Sequence, residues 1–252
     1  MDINEEEEIR KEFQLDRMIL FTDAVFAIIL TIMVLDIKLP EGIRDKGETD
    51  LVHAFKSIIP KLLAYAISFF LVARFWMGHL KLFRFLKDYD NKLLILNLVF
   101  LFSVTLFPFA VSLISGSVKP QLPEFSWAWT IYILVVYSTV YTQSIITWYL
   151  LKYKDKLCIN TPRLETSLKG KIQRINLILV PCLFLSVLVF SYFNLPFYYA
   201  MYTVLAYGFI IGRLTRKYYP DDNKGPLIMQ LFRYLKTNRS KKHTAIKPAG
   251  KE

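Results

Sequence analysis

A single carboxylate in the first apolar segment of the chain occupies a position where charge is costly. Asp23 follows Arg17 by six residues, which is about 9 Å along a helix that rises 1.5 Å per residue. An ionisable residue at that depth in a membrane segment is expensive, functional by default, and in need of a polar partner. The sequence therefore predicts a hydrogen-bonded or ion-paired group around Asp23 inside a membrane.

Residues that could serve as partners of Asp23 occur at matching depth in the next two apolar segments. The second segment should leave the membrane, and the third should enter it, at the level where the first begins. The candidates there are Arg74, Trp76, His79 and Asn97. We favour a structural network that satisfies the buried carboxylate. Two alternatives stay open: His79 titrates and senses or relays protons, and Arg74 extends to the membrane surface instead.

The opposite face of the first helix carries a narrow apolar stripe with one hydroxyl. Its members recur at spacings of three and four: Phe21, Ala24, Ile28, Thr31 and Leu35, with Ile32 at the edge. Asp23 points roughly the other way at 100° per residue. On periodicity alone such a stripe is usually a helix packing seam. The alternative is the wall of a pore, which an apolar constriction can close by dewetting.

Six apolar blocks separated by charged links contain these residues. They span approximately 18–37, 57–78, 93–115, 127–151, 175–193 and 197–211. The first four are long enough to cross a bilayer, which takes about 20 apolar residues. The last two are shorter and are joined only by Asn194, Leu195 and Pro196, which predicts a helical hairpin. We predict an all-α integral membrane protein with six transmembrane helices.

The distribution of lysine and arginine predicts the orientation of these helices. Basic residues concentrate in the links that share a side with the N-terminus, which favours both termini in the cytoplasm. The formal net charge of +11 then reflects cytoplasmic links rather than a nucleic-acid partner. We predict an acidic N-terminus over 1–16, a transmembrane domain over 17–219, a basic tail over 220–252, and a multi-pass location in the cell (inner) membrane.

The start of the first helix carries a recognisable motif. The pattern Arg17-x-x-x-Phe21-Thr22-Asp23, followed by Ala-Val-Phe-Ala-Ile, resembles the R-x-x-x-F-S-D signature of the transmembrane protein 175 family of potassium channels. Thr22 replaces the usual serine, and both residues supply a hydroxyl. Two later runs are also similar to that family: Trp76-x-x-His79, and the stretch from Leu96 to Phe109. Beyond Trp127 the resemblance rests on helix count and topology.

This resemblance implies a potassium-selective channel that assembles as a homotetramer in the lipid bilayer. It implies that the first helix lines the pore, with Ile28 at a hydrophobic constriction, Thr31 one turn further and Leu35 as another apolar layer. Potassium would lie transiently at Thr31, and no cofactor would be needed. The family does not use the carbonyl filter of other potassium channels, and this chain has no T-V-G-Y-G motif.

Two rival functions remain at this stage. A secondary cation or proton transporter would show internal repeats and a substrate site near the midplane, yet the first and last three blocks show no convincing repeat. A membrane-embedded enzyme needs converging catalytic groups. Only the group around Asp23 qualifies, and packing explains it better, so we expect no enzyme.

Overall fold

The computed structural model describes residues 3–37, 48–116, 123–159 and 164–220. All the regular secondary structure elements in these ranges are helices. The helices are α1 Ile3–Ile32, α2 Glu48–Phe83, α3 Asn91–Thr105, α4 Phe107–Gly116, α5 Pro123–Lys152, α6 Lys154–Leu157, α7 Leu164–Ser167, α8 Gly170–Tyr192 and α9 Phe197–Tyr218, and a 3-10 turn, Met33–Asp36, follows α1.

Five helical segments among the described residues are long and apolar enough to cross a membrane. They are Lys11–Leu35, Ile58–Phe83, Asn91–Gly116, Phe125–Lys152 and Gly170–Tyr192. The block expected to form a sixth span is helical as α9, but it is not among these five. The chain is thus an all-helical protein with at least five candidate membrane spans.

The third span is broken where the sequence places a proline. Helix α3 ends at Thr105 and α4 begins at Phe107, immediately before Pro108. Proline has no backbone N–H, and its ring clashes with the carbonyl of the residue four positions earlier, here Val104. The two short helices therefore form one interrupted span, whereas Pro60 and Pro181 lie inside α2 and α8.

Helix α1 is anchored by one face only. Its buried residues recur at spacings of three and four, which places them on one side of the helix: Leu15, Met18, Thr22, Phe26, Ile29 and Met33. This side packs against α2, α3 and α4, while α5 packs against α3, α4 and α8. Phe26 and Phe100, both almost fully buried, meet at 6.0 Å between ring centroids. Among the described residues, no helix covers the opposite side of α1.

The chain divides into two compact units, Met1–Ile210 and Ile211–Glu252. The first contains the five candidate spans. The second is described only as far as Pro220 and contains the last turns of α9, where Arg216 Nε donates a hydrogen bond to the Gly212 carbonyl. The predicted basic tail over 220–252 therefore lies almost wholly outside the described residues.

Backbone hydrogen bonds join two of the polar links at one end of the helices, and this contact is called the clamp. An isolated antiparallel bridge joins Leu86, in the link after α2, to Cys158, in the link after α6. The Lys87 backbone N–H donates to the Leu157 carbonyl at 2.9 Å. Cys158 is fully buried in this clamp, and burial raises the pKa of its thiol. The thiol is thus a packing group rather than a reactive one.

Asp90 ties the clamped end to two helices. Its Oδ1 accepts a hydrogen bond from the Leu93 N–H at 2.8 Å, which caps α3, and its Oδ2 accepts one from the Tyr149 hydroxyl of α5 at 2.7 Å. Desolvation raises the pKa of the Asp90 carboxyl, but these two bonds and the charges of Lys156 and Lys92 outweigh it. The net result is a pKa below the ordinary value of 3.8.

We expect Asp90 to make the stability of the protein sensitive to acid. Because its pKa is lower in the folded state, its contribution is complete above about pH 3.8 and is lost as the pH falls through the folded-state pKa. Thermal unfolding followed between pH 7 and pH 3 should show this loss in the native chain. Asp90→Asn should keep the cap and remove this pH dependence. Asp90→Ala should cost about 0.5–2 kcal/mol at pH 7. An acid-unfolding curve identical in native and Asp90→Asn protein would contradict the assignment.

Candidate functional site

Two of the predicted partners, His79 and Asn97, form a hydrogen-bonded chain with Thr22 that links α1, α3 and α2. The Thr22 hydroxyl donates to the Met18 carbonyl, and the Asn97 side-chain amide donates to the Thr22 oxygen, each at 2.9 Å. The Asn97 oxygen lies 2.9 Å from His79 Nε2. Because the Asn97 nitrogen is already used as a donor, its oxygen must accept, and His79 Nε2 carries the proton.

This chain is enclosed by aromatic rings. His79 is 1 % exposed and Asn97 is fully buried. The imidazole of His79 stacks on the ring of Phe100, with centroids 5.1 Å apart and planes within 5° of parallel, and the ring of Phe83 lies 3.9 Å away. In such a dry environment a satisfied polar chain fixes one arrangement of three helices, and an unsatisfied one is costly.

Asp23 finds a different partner in the same helix pair. Trp76 Nε1 donates a hydrogen bond of 2.8 Å to Asp23 Oδ1. Arg74 is exposed and makes no ion pair with Asp23. Residues 74 and 76 are about 200° apart around α2, so the side that brings Trp76 to α1 turns Arg74 away. Arg17 is also exposed, and its guanidinium carbon lies 6.0 Å from the Phe13 ring centroid.

The structure thus brings together Thr22, Asp23, Trp76, His79 and Asn97 and leaves Arg17 and Arg74 outside the group. The sequence predicted Arg74, Trp76, His79 and Asn97 at the depth of Asp23, but depth alone does not specify which side of a helix faces a neighbour.

The stripe on the other side of α1 is exposed within the single chain. Ile28 is 55 % exposed and Leu35 is 68 % exposed, and Phe21, Ala24 and Ile32 are exposed as well. No other helix in the described part of the chain covers this face. An exposed apolar row beside a buried polar network indicates a surface that meets lipid, another copy of the chain, or a narrow pore.

Thr31 has its hydroxyl group fixed in a particular direction on this exposed face. The hydroxyl lies 3.0 Å from the Ala27 carbonyl and 2.9 Å from the Ile28 carbonyl and donates its proton to the helix backbone. The lone pairs of the Thr31 oxygen are therefore left to accept from outside the helix. An oxygen held in this way can coordinate a cation, because its only donor is already occupied.

A second buried polar group, between α5, α8 and α9, escaped the sequence reasoning. Ser144 Oγ donates a hydrogen bond to Gln173 Oε1 at 2.7 Å. The Asn176 amide nitrogen donates to Ser144 Oγ, and the Tyr207 hydroxyl donates to Asn176 Oδ1, each at 3.4 Å. The spacing of Gln173 and Asn176, three residues apart in an apolar helix, was the available signal. Hydrogen bonds of this kind between membrane helices hold them together. Among the described residues, no three histidine, cysteine or acidic side chains converge as a metal site.

Fold and site together define a multi-pass, all-helical membrane protein with one polar-anchored helix whose opposite face is uncovered. Residues 17–108 match the model of the family described as endosomal/lysosomal potassium channel TMEM175. This part of the chain is therefore similar to the TMEM175 family. The matched region contains α1 from Arg17 onward, α2 and α3, with the whole polar chain and the exposed stripe.

Bacterial relatives are similar to this chain over part of its length. A potassium channel of Chryseobacterium sp. is 38 % identical over 107 residues, covering 42 % of this chain and 52 % of the relative. A potassium channel of Streptomyces collinus is 29 % identical over 130 residues, covering 52 % of this chain and 61 % of the relative. The chain thus spans little more than half the length of these relatives.

The fold is similar to a crystal structure of a lysosomal potassium-selective channel TMEM175 homolog from Chamaesiphon minutus. The TM-score is 0.57 with 24 % sequence identity, over 77 % of this chain and 97 % of that one. The likeness at this identity concerns the arrangement of the helices.

Proposed function

We propose that this chain is a subunit of a potassium-selective channel, in which four copies surround a pore lined by α1. The observation that carries this proposal is the uncovered stripe of α1, which coincides with the positions that the family resemblance assigns to the pore. The same helix is fixed from behind by the Thr22–Asn97–His79 chain. The match of residues 17–108 to the family model and the bacterial relatives that are named potassium channels support the choice of ion.

In this proposal the pore narrows at rings of Ile28 and Leu35, with Ala24 and Ile32 beside them. An apolar constriction of this kind excludes water until the helices rotate or spread. Four Thr31 oxygens replace part of the water around a cation between the two rings. Potassium loses water more easily than sodium because its larger radius holds water less strongly, so the passage favours potassium. No covalent chemistry occurs.

The polar network holds the pore helix in register. Trp76 positions Asp23, and His79 and Asn97 position Thr22, so one side of α1 is fixed to α2 and α3 while the other faces the axis. The role of the network in the proposed channel is therefore to hold α1 in place.

The proposed channel also has a defined orientation in the membrane. α9 forms a sixth span, both termini lie in the cytoplasm, and the protein resides in the inner cell membrane. The clamped links support this orientation, because they carry the lysines and arginines that are retained on the cytoplasmic side. Exposed basic side chains in these links and in the helix ends beside them include Lys81, Arg84, Lys87, Lys152, Lys154 and Lys156.

The reversal potential of the purified protein in planar bilayers, with potassium on one side and sodium on the other, tests the proposed function. A reversal close to the potassium equilibrium potential is the expected result. Flux that saturates and follows a proton gradient would instead identify a secondary transporter and remove the assigned roles of Ile28, Thr31 and Leu35.

Thr31→Val should reduce selectivity while leaving the fold intact. The substitution keeps the shape of the side chain and removes the oxygen, and Thr31 is exposed within the chain. Loss of about 1.4 kcal/mol of ion binding lowers a selectivity ratio tenfold, and we expect an effect of that order. The reversal potential should shift toward zero in Thr31→Val but not in Thr31→Ser. An unchanged reversal potential in Thr31→Val would exclude the hydroxyl as an ion ligand.

A further inference from the structure

Arg74 is a charged residue inside a membrane span, and it has no partner among the residues that the structure describes. It lies in the span Ile58–Phe83 and is exposed. Among the side chains that the structure describes, it makes no hydrogen bond, ion pair or cation–π contact. Arginine inside a membrane faces a partner, a protein interior or a water-filled cavity rather than lipid. The site around Arg74 is therefore incomplete in a single copy.

The surface around Arg74 has the pattern of a helix–helix seam. The exposed residues on this side of α2 recur at alternating spacings of four and three, as in a coiled-coil seam: Leu63, Ile67, Phe70, Arg74, Met77 and Lys81. Phe70, one turn before Arg74, is 71 % exposed. A guanidinium in the middle of an apolar stripe needs either a polar partner or a path to the membrane surface.

An unpaired carboxylate oxygen occurs at nearly the same depth. Helices α1 and α2 run in opposite directions, because Tyr89, beyond the end of α2, bonds to Gln14 near the start of α1, while Trp76 bonds to Asp23. Arg74 lies two residues from Trp76, or about 3 Å along the helix. Asp23 is only half-buried, and its Oδ2 has no hydrogen-bond partner among the described side chains.

We propose that Arg74 forms an inter-subunit ion pair with Asp23 of a neighbouring copy. This inference rests on the proposed assembly of four copies. The two charges are opposite in sign, lie at matching depth and occupy different faces, α2 on one copy and α1 on the next. Such a head-to-tail contact closes into a ring when it is repeated around an axis. Trp76 holds Asp23 Oδ1, so the neighbouring guanidinium completes the carboxylate through Oδ2.

The pair would also orient the pore helix from the outside of its own subunit. Asp23 lies on α1 between the buried network and the exposed stripe, so a contact from the next copy fixes the rotation of α1 relative to the axis. Arginine suits this role because its charge persists at every physiological pH.

Disulfide trapping tests the pair directly. Asp23→Cys and Arg74→Cys are combined in a chain in which the exposed Cys182 is replaced by serine, and the membranes are oxidised. We expect bands of two to four linked chains on a non-reducing gel. The matched control combines Asp23→Cys with Ala73→Cys, one position away on α2 and about 100° around it. Monomer bands only, or equal linkage in both pairs, would overturn the proposal.

A second measurement avoids dependence on the cysteine variants. The ratio of assembled to single chains in detergent is measured by native mass spectrometry for Arg74→Gln and Arg74→Lys. Arg74→Gln should lower the ratio at least tenfold, and Arg74→Lys should retain most of it. An unchanged ratio in Arg74→Gln would exclude the pair. Both readouts are independent of ion flux. A channel that conducts potassium but shows no linkage would exclude the ion pair alone. Linkage without a potassium current would exclude the proposed function alone.

Discussion

Replacing Ile28 with asparagine is expected to turn the proposed constriction into a leak. Ile28 is 55 % exposed on the uncovered face of α1, so its replacement disturbs little of the packing among the described residues. Four amides in place of four apolar side chains would let water into the narrowest ring, which removes the dewetting barrier. A barrier lower by about 1.4 kcal/mol raises the conductance tenfold. We expect a rise of at least that size in bilayer recordings, with weaker discrimination against sodium.

A matched substitution controls for the general effect of asparagine in a membrane helix. Ile178 of α8 is 73 % exposed, and its helix has no role in the proposed pore. Ile178→Asn should leave the potassium current unchanged. Currents that rise equally in both variants would indicate damage to the helix bundle rather than a gate. An Ile28→Asn current equal to that of the native chain would remove Ile28 from the pore.

The largest effect on stability is expected from Asn97→Leu. Asn97 is fully buried, and it holds both the Thr22 hydroxyl and the proton on His79 Nε2. Leucine is of similar size, so the loss is one of hydrogen bonding rather than volume. An orphaned buried donor costs about 1–3 kcal/mol. For a chain of this length that corresponds to a fall of roughly 3–10 °C in the thermal unfolding midpoint, measured in nanodiscs.

A double substitution shows whether the orphaned imidazole causes that fall. His79→Phe removes the donor and keeps an aromatic ring against Phe100. Asn97→Leu combined with His79→Phe should therefore be more stable than the sum of the two single effects predicts. Strict additivity would contradict the hydrogen bond between His79 and Asn97. Asn91→Leu, at the exposed start of α3, is the control and should shift the midpoint little.

The sequence anticipated residues whose position follows from depth alone. Charge and hydropathy along the chain determine the level at which each side chain lies in a bilayer, because the helical rise is constant. Asp23, Trp76, His79 and Asn97 could be placed at one level in this way, and Trp76, His79 and Asn97 are in contact with α1. Periodicity likewise separated the buried and uncovered faces of α1.

Which of these residues meet was decided by the rotation of each helix about its axis. Rotation depends on the packing of several helices at once and has no signature in one segment. Arg74 and Trp76 are close in sequence, yet Trp76 bonds to Asp23 while Arg74 faces away. The group formed by Ser144, Gln173 and Asn176 likewise depends on how α5 meets α8.

The sequence by itself determined that this is an all-helical membrane protein, which helix carries the signature, and which face of that helix is apolar. These properties are set locally, by runs of residues and by the fixed geometry of a helix. The tertiary structure decided that the Asp23 carboxylate bonds to tryptophan rather than arginine, and that the Thr31 hydroxyl donates to its own backbone. Both outcomes depend on how side chains are oriented in space, and the aromatic packing around His79 that fixes α1, α2 and α3 exists only in the folded bundle.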